Sequence, residues 1–517
     1  MRTKNSLINI AVSICSYGFL MVSSFLTRGV FSRELGLAIA GIEGLFLNIV
    51  SMLAIAELGI GVGIVYKLYK PIADNDKVRI AVLLNFYKKA YMVIGTVVLL
   101  LGVGTASFVW VFIDDKAMYS KWQLSLLFMF YVFDVLSSYL YAHKRAMFTA
   151  DQKNYVNNIA HTICQGLSCI LQVTTLILFK SFVVYLVIKV SLRLLENVII
   201  SLQYNKKYKD IDLKIKEEMP KAEKDSLFKN IKAMFLHRVA GFSVSSTSSM
   251  IITSFVGVVA NGIYYNYTLI TNGFLNLTNQ LFNGIVASFG DLLTTSTKDR
   301  SFENFKSIYL INYLIFSFFS VGILVVVQPF VRIWIGEKGL FPMTTVLLIV
   351  LLFYMTGMRQ SVYMVRTSAG VYQPDKYLAV VEAIINIGLA IVLAKPLGIN
   401  GVLCANLISL IAIPFWTQPY IAYKKVFGKS LWYHYKRYAL YAVLTVAIGA
   451  LTYFVCWLLP VSSLGLRVIC NMVLAVIIPN GINILLFHKT PEFQYLKNTF
   501  TGLLQSVKNR KLQNKNT

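Results

Sequence analysis

Apolar stretches of twenty residues or more recur along the chain, separated by short polar segments. A helix crossing a bilayer needs roughly 20 mostly apolar residues, and this rule predicts about fourteen spanning helices. They fall at 7–27, 41–65, 90–113, 122–142, 155–178, 182–203, 233–257, 263–289, 307–329, 343–365, 377–395, 399–421, 436–459 and 464–487. The segments 41–65, 233–257 and 263–289 carry polar residues in mid-span. The first stretch, Leu7 to Thr27, is too long for a signal-peptide core, and no small-residue cleavage site follows it, so it reads as a span.

The longest polar stretch divides this map into an N-terminal six-helix lobe (1–204), a basic linker (205–232) and a second six-helix lobe (233–421). Two additional helices (422–490) and a basic amphipathic tail (491–517) follow. Equal six-helix blocks suggest two repeats of the same orientation about an axis along the membrane normal. The linker around Pro220 to Met234 reads as an amphipathic surface helix. So does the tail, where Phe493, Leu496, Phe500, Leu503 and Val507 share one face. Both suit anionic membrane lipids.

Composition supports the pattern. Of 517 residues, 57% are hydrophobic and 14% charged, with a net charge of +26 from 49 Lys+Arg against 23 Asp+Glu. Soluble domains carry about 25% charged residues. Strong basicity in so apolar a chain argues for a polytopic membrane protein with basic cytoplasmic loops and against a nucleic-acid partner. With the N-terminus inside, alternate connections hold about 38 of the 49 basic residues and the outer ones about nine, an asymmetry that places both termini in the cytoplasm. The six cysteines lie in apolar runs without a C-x-x-C, and the histidines lack ligand spacing, so neither disulfide nor metal site is expected. No P-loop occurs. Clustered catalytic carboxylates or histidines, which an enzyme acting on polyprenyl phosphate would need, are also missing. The short outer loops disfavour membrane glycosyltransferases and polymerases.

Charge at membrane depth is costly and marks candidate function. In span 182–203, Lys189, Arg193 and Glu196 are spaced four and three residues apart and share a helical face. Either Glu196 neutralises Arg193 and the group locks packing, or Lys189 and Arg193 line a cavity and hold an anion. Arg28, near the outer end of the first span, is a second candidate anion contact. Arg33 snorkels or pairs with Glu34. Arg359, Tyr363 and Arg366 share a face of the tenth span, where Arg359 is the candidate and Arg366 snorkels. Asn272, Asn276, Asn279 and Asn283 form a polar stripe in the eighth span, extended by Tyr265. Such a stripe either binds helices together or lines a sugar path, since amides both donate and accept towards hydroxyls. Hydroxyls of Ser243 to Ser249 can join that wall. The buried carboxylates Glu57, Asp134, Glu196 and Glu382 are candidates for a coupling proton or cation, with Glu57 first.

The segment Glu57-Leu58-Gly59-Ile60, followed by Lys67-Leu68-Tyr69-Lys70-Pro71-Ile72-Ala73 and Asp74-Asn75-Asp76-Lys77, resembles the "ELGI…LYKPLA..D" signature of Wzx-type polysaccharide repeat-unit flippases. These belong to the multidrug/oligosaccharidyl-lipid/polysaccharide exporter superfamily. Leu236-His237-Arg238, Tyr265-Asn266-Tyr267, Ala287-Ser288-Phe289-Gly290-Asp291, Trp334-Ile335-Gly336, Glu382-Ala383-Ile384-Ile385-Asn386 and Gly398-Ile399-Asn400-Gly401-Val402 continue it, to about residue 430. The resemblance implies an all-α transporter with two six-helix lobes around a central cavity and alternating access. Its implied cargo is an oligosaccharide joined by pyrophosphate to a polyprenyl lipid, moved across the bacterial cytoplasmic membrane alongside polymerase and export proteins. The chain departs from the family at Ser246-Thr247-Ser248-Ser249, where many relatives carry "STDN", so an acidic role at Ser248 is not expected. No cofactor is expected beyond coupling to membrane potential, H+ or Na+. The rival readings are a peptidoglycan-precursor flippase and a drug or metabolite antiporter of the same superfamily.

Overall fold

A computed structural model describes residues 2–57, 60–113, 118–213, 217, 219–221, 223–225, 246–371, 376–499 and 501–502. Among these the chain is all-helical. Nine helices are long and apolar enough to cross a membrane, and a tenth span arises if one bent pair is counted as a unit. That pair is α5 (Lys121–Tyr139) and α6 (Ala142–Ala150), which meet at 48°. The protein is a multi-pass membrane protein.

Four of the predicted spans are absent from this count, each for a local reason. The segment 41–65 is broken: α2 (Leu37–Leu53) gives way to a short 3-10 turn at Ala54–Glu57, and α3 starts at Ile60. Three glycines in five residues (59, 61 and 63) weaken helix propagation there. Segment 182–203 forms a continuous helix, α8 (Phe182–Lys207), but Lys189, Arg193 and Glu196 make it too charged to qualify. Segment 263–289 lies within α10 (Val258–Thr295), whose amides lower its hydropathy. Of segment 233–257, only 246–255 is described as helix, here α9. Leu236-His237-Arg238, Ser243, most of Pro220 to Met234, and the tail positions Phe500, Leu503 and Val507 lie outside the described residues.

Two compact units emerge, each built from two stretches of chain: 1–266 with 383–402, and 267–382 with 403–517. The first holds α1 (Arg2–Glu34), α2, α3 (Ile60–Ala73), α4 (Lys77–Ala106), α5, α6, α7 (Tyr155–Phe179) and α8. One core of this unit gathers Phe31, Phe46, Phe128, Tyr131, Phe182 and Tyr185. The other gathers Leu68, Tyr87, Tyr91, Tyr139, Phe148 and Tyr204. Polar caps mark where the sequence starts its helices. Asp76 accepts from the Arg79 amide at the head of α4, and Ser120 with Gln123 forms a reciprocal capping box on α5. Gly257 separates α9 from α10 at φ 119°, a backbone conformation that side chains avoid. Glycines also allow α2 and α10 to touch. A Cβ at Gly41 would lie 1.9 Å from the Val258 carbonyl oxygen, and one at Gly262 would lie 2.1 Å from that of Leu37.

The second unit centres on α11 (Lys298–Trp334), packed with α12 (Met343–Met358), α17 (Leu431–Leu458) and α18 (Leu464–Phe487). The tenth span is interrupted at Arg359, where α13 (Gln360–Ser368) begins. After α15 (Ile399–Ala412), Pro414 opens a short α16 (Pro414–Pro419), and the chain runs into a wide π turn at Tyr420–Phe427. An aromatic cluster of Phe305, Tyr309, Tyr423, Phe427, His434 and Tyr441 fills one end.

Candidate functional site

The first unit concentrates its intramembrane charge on one face of α8. Tyr185, Lys189 and Arg193 recur every four residues, with Glu196 a turn further, and each meets a different partner from α2, α5, α6 or α7.

At one end, Tyr185 donates its hydroxyl to Glu43 Oε1 at 3.0 Å. Glu43 is 4% exposed, and its other oxygen accepts from Arg28 Nη1 at 2.6 Å. Arg28 Nε donates to Asn266 Oδ1 at 2.6 Å and Nη2 to the Ala40 carbonyl at 2.9 Å. The Tyr265 ring lies 4.5 Å from the guanidinium carbon. Arg28 is therefore embedded, with a carboxylate already beside it. An anion reaching it must displace or share Glu43. Tyr265 faces this guanidinium, so it serves α1 as a stacking partner.

One turn along α8, Lys189 Nζ sits 4.3 Å from the Tyr131 ring centre. Tyr131 belongs to the same buried core as Phe31 and Tyr185, which flank the Arg28–Glu43 pair. Lys189 is half-buried and has no carboxylate partner among the described residues. Cation–π contact compensates a charge only in part.

Further along, Arg193 does not stand free. Its Nε donates to Asp134 Oδ1 at 3.2 Å and its Nη1 to Glu196 Oε2 at 3.2 Å. Glu196 is 2% exposed and is also bound by Arg145 Nη1 at 2.8 Å and His161 Nδ1 at 3.0 Å. Arg145 reaches from Glu196 to Asn197, donating to its Oδ1 at 2.7 Å. Two arginines thus face two carboxylates with His161 at the rim, so Asp134 and Glu196 are spent on charge balance. Arg193 is held between two carboxylates, and Lys189 lies outside these pairs.

Glu57 is built differently. It accepts from Tyr91 at 2.7 Å, and Tyr87 stacks on Tyr91 with ring centres 4.5 Å apart. Gly61 completes the pocket: a Cβ there would lie 3.1 Å from the Tyr87 hydroxyl. No salt bridge to Glu57 occurs among the described residues. A membrane-depth carboxylate held by a neutral hydroxyl rather than a cation is a candidate site for a coupling ion.

In the second unit, Asn272, Asn276 and Asn283 are exposed and Asn279 is half-buried, and none spends its amide on another described helix. Among the described residues the stripe forms no amide bond between helices. Ser249, by contrast, is buried and donates to Asn261 Oδ1 at 2.7 Å, so its hydroxyl is used internally in the first unit. Arg359 donates to Gln418 Oε1 at 3.2 Å and interacts electrostatically with Glu382. Arg366 is buried, with its Nε on the Val371 carbonyl rather than snorkelling outward.

Sequence reasoning missed Glu43, Arg145, His161 and Asn266. Glu43 lies at the start of a predicted span, and Arg145 and His161 were assigned to a loop and to scattered histidines. Their signal was charge or amide near a span end and, for Asn266, its place in the Tyr265-Asn266-Tyr267 match.

This helical arrangement has known counterparts among solved structures. A structure titled lipid II flippase MurJ, inward closed conformation, matches with a TM-score of 0.68 at 12% identity, covering 93% of this chain and 99% of its own. The chain has the fold of MurJ. An inward-facing multidrug resistance MATE family transporter of the MOP superfamily matches with a TM-score of 0.58 at 14% identity, over 77% of this chain and 93% of its own. A mutant of the Vibrio cholerae MATE transporter VcmN matches with a TM-score of 0.52 at 13% identity, over 83% and 100%. No family model matches the sequence, and no curated protein matches it. The likeness to these structures is one of fold.

Proposed function

We propose that the chain is a flippase for polyprenyl-pyrophosphate-linked oligosaccharide repeat units, carrying them by alternating access from the cytoplasmic to the outer leaflet for surface polysaccharide synthesis. The observation that carries this reading is Lys189, a membrane-depth cation without a carboxylate partner among the described residues, on the α8 face shared with the Arg28–Glu43 group. A pyrophosphate cannot cross hydrocarbon uncompensated. Lys189 makes the first contact, and Arg28 joins as Glu43 yields. Arg193 supports the face from its carboxylate pair, and Arg359 is a further candidate contact in the second unit. The exposed amides of Asn272, Asn276, Asn279 and Asn283 suit sugar hydroxyls. The membrane potential contributes roughly 2.3 kcal/mol per charge per 100 mV to outward movement of an anion. Among the coupling candidates Glu57, Asp134, Glu196 and Glu382, Glu57 is the best placed to take up H+ or Na+, because the Tyr91 hydroxyl rather than a cation holds it among the described residues.

We place the protein in the bacterial cytoplasmic membrane with both termini inside, from its loop charges. Anionic lipids and the polymerase and export proteins of the same pathway are its partners. A second reading, transport of a peptidoglycan precursor, is favoured by the likeness to lipid II flippase MurJ over 93% of the chain. Complementation separates them. The chain is expressed in one strain lacking its repeat-unit flippase and in another depleted of its lipid II flippase. Surface polymer restored in the first, and lost with Lys189→Ala at equal protein level, is the expected result. Rescue of the second strain alone replaces the cargo, and rescue of neither overturns the flippase reading.

A further inference from the structure

Two cavities in the second unit adjoin each other, sharing three lining residues, and together make an amphipathic recess. The larger, about 710 Å³, lies between α11, α12 and α17 and is lined almost wholly by apolar side chains, among them Leu347, Leu351, Met355, Val446 and Ala450. The smaller, about 350 Å³, lies where α11 and α17 end and α12 and α18 begin, and its lining includes Gln328, Arg332, Trp457, Arg467 and Asn471. Leu324, Met343 and Tyr453 line both cavities. On the topology given by the loop charges, the polar end faces the outer surface.

The polar end is cationic. Arg332 is paired with Glu337 at 2.8 Å, whereas Arg467 is half-buried and has no ion-pair partner among the described residues. The lining therefore carries one uncompensated positive charge. Trp457 is 67% exposed beside it, as expected of an indole at the headgroup level. A recess with a long apolar floor inside the bilayer and a single net cation at the interface complements one class of molecule: a lipid with one negative phosphodiester.

We propose that this recess binds an anionic glycerophospholipid of the outer leaflet, with its phosphate on Arg467 and an acyl chain along α12 and α17. The single net charge matches a phosphodiester, and the recess belongs to the second unit whereas Lys189 belongs to the first. The bound chain fills the gap between α11–α12 and α17, so the lipid acts as a wedge in the second unit. This inference does not depend on which cargo is transported.

The test uses purified full-length protein in neutral detergent, with dioleoyl phosphatidylglycerol or dioleoyl phosphatidylcholine retained on it and counted by native mass spectrometry. A charge-assisted hydrogen bond predicts a preference for the anionic lipid of about tenfold. Arg467→Ala brings the two lipids to parity, and Arg467→Lys keeps most of the preference. Gly449→Leu lowers retention of both lipids without changing their ratio. A Cβ at that position meets Leu324 at 3.5 Å and Val321 at 3.7 Å, ordinary contacts, so the added side chain occupies the groove and not the backbone. An unchanged preference in Arg467→Ala, or equal retention of both lipids by the wild type, overturns the site. Displacement of phosphatidylglycerol by stoichiometric polyprenyl phosphate also overturns it and assigns the recess to the cargo's carrier.

Discussion

Removing one member of the Arg28–Glu43 pair should be among the most damaging single changes in the first unit. Both side chains are 5% exposed, and the pair closes at 2.6 Å. Glu43→Gln keeps the shape and can still accept from Tyr185, but it leaves the Arg28 charge uncompensated. Breaking a buried pair this way costs about 3–5 kcal/mol, because desolvation of the survivor is no longer offset. Arg28→Met strands the Glu43 carboxylate and the Asn266 amide, and should cost about as much. The double variant Arg28→Met/Glu43→Gln removes both charges. It should therefore recover a coupling energy of about 2 kcal/mol or more, at the upper part of the range seen for contacting residues. The assay is reversible unfolding in mixed micelles of SDS and a neutral detergent, read by circular dichroism on the four proteins of the cycle. Tyr185→Phe serves as the internal scale, at about 1 kcal/mol for one hydrogen bond. Additive losses, with coupling below about 0.5 kcal/mol, would show that the two charges are compensated by other groups and refute the reasoning.

Three further outcomes follow from single contacts. Glu223, in the linker, accepts from Lys67 at 2.9 Å and from Arg79; burial pushes its carboxyl upward, but these cations outweigh it and hold it below the ordinary value of 4.5. A depressed carboxyl stabilises the folded contact above its unfolded value and loses it as pH falls through the folded one. Crosslinking of the linker to α3 should therefore be flat from pH 8 to 5 and fail only below about 4, with Glu223→Gln weak throughout; a loss near pH 6 would assign the contact to another group. Gly262→Leu drives a side chain into the Leu37 carbonyl and should cost at least the ~1–3 kcal/mol of an overpacked contact, seen as reduced monodisperse yield in size-exclusion chromatography. Asn276→Ala, at an exposed amide, should change stability by no more than about 0.5 kcal/mol while lowering transport of a glycosylated lipid in proteoliposomes, and unchanged transport would remove the stripe from the sugar path.

The sites differ in how far they could be read in advance. The α8 face was legible because Lys189, Arg193 and Glu196 are helical neighbours, and a spacing of four and three fixes their common side whatever else surrounds them. Their partners were not legible. Glu43 reaches Tyr185 across 142 positions and Arg145 reaches Glu196 across 51. Nothing local in the chain marks which distant helix will lie opposite. The asparagine stripe was legible as a face, whereas the exposure of its amides depends on which helices pack beside it. The break at Ala54–Glu57 was foreshadowed by glycine and Glu57, but apolarity masked it: hydropathy measures transfer to lipid, not helical continuity.

By itself, the sequence determined that the chain lies in a membrane, where its helices run and which faces carry charge. Each of these depends on residues within a few turns of one another and on the cost of leaving water. Tertiary structure alone decided that Arg28, Arg193, Asp134 and Glu196 are ion-paired while Lys189 has no carboxylate partner among the described residues, and that an apolar cavity adjoins the one lined by Arg467. Electrostatic compensation falls off over a few ångströms in space, so it is set by which helices become neighbours, and that is information no local stretch of chain contains.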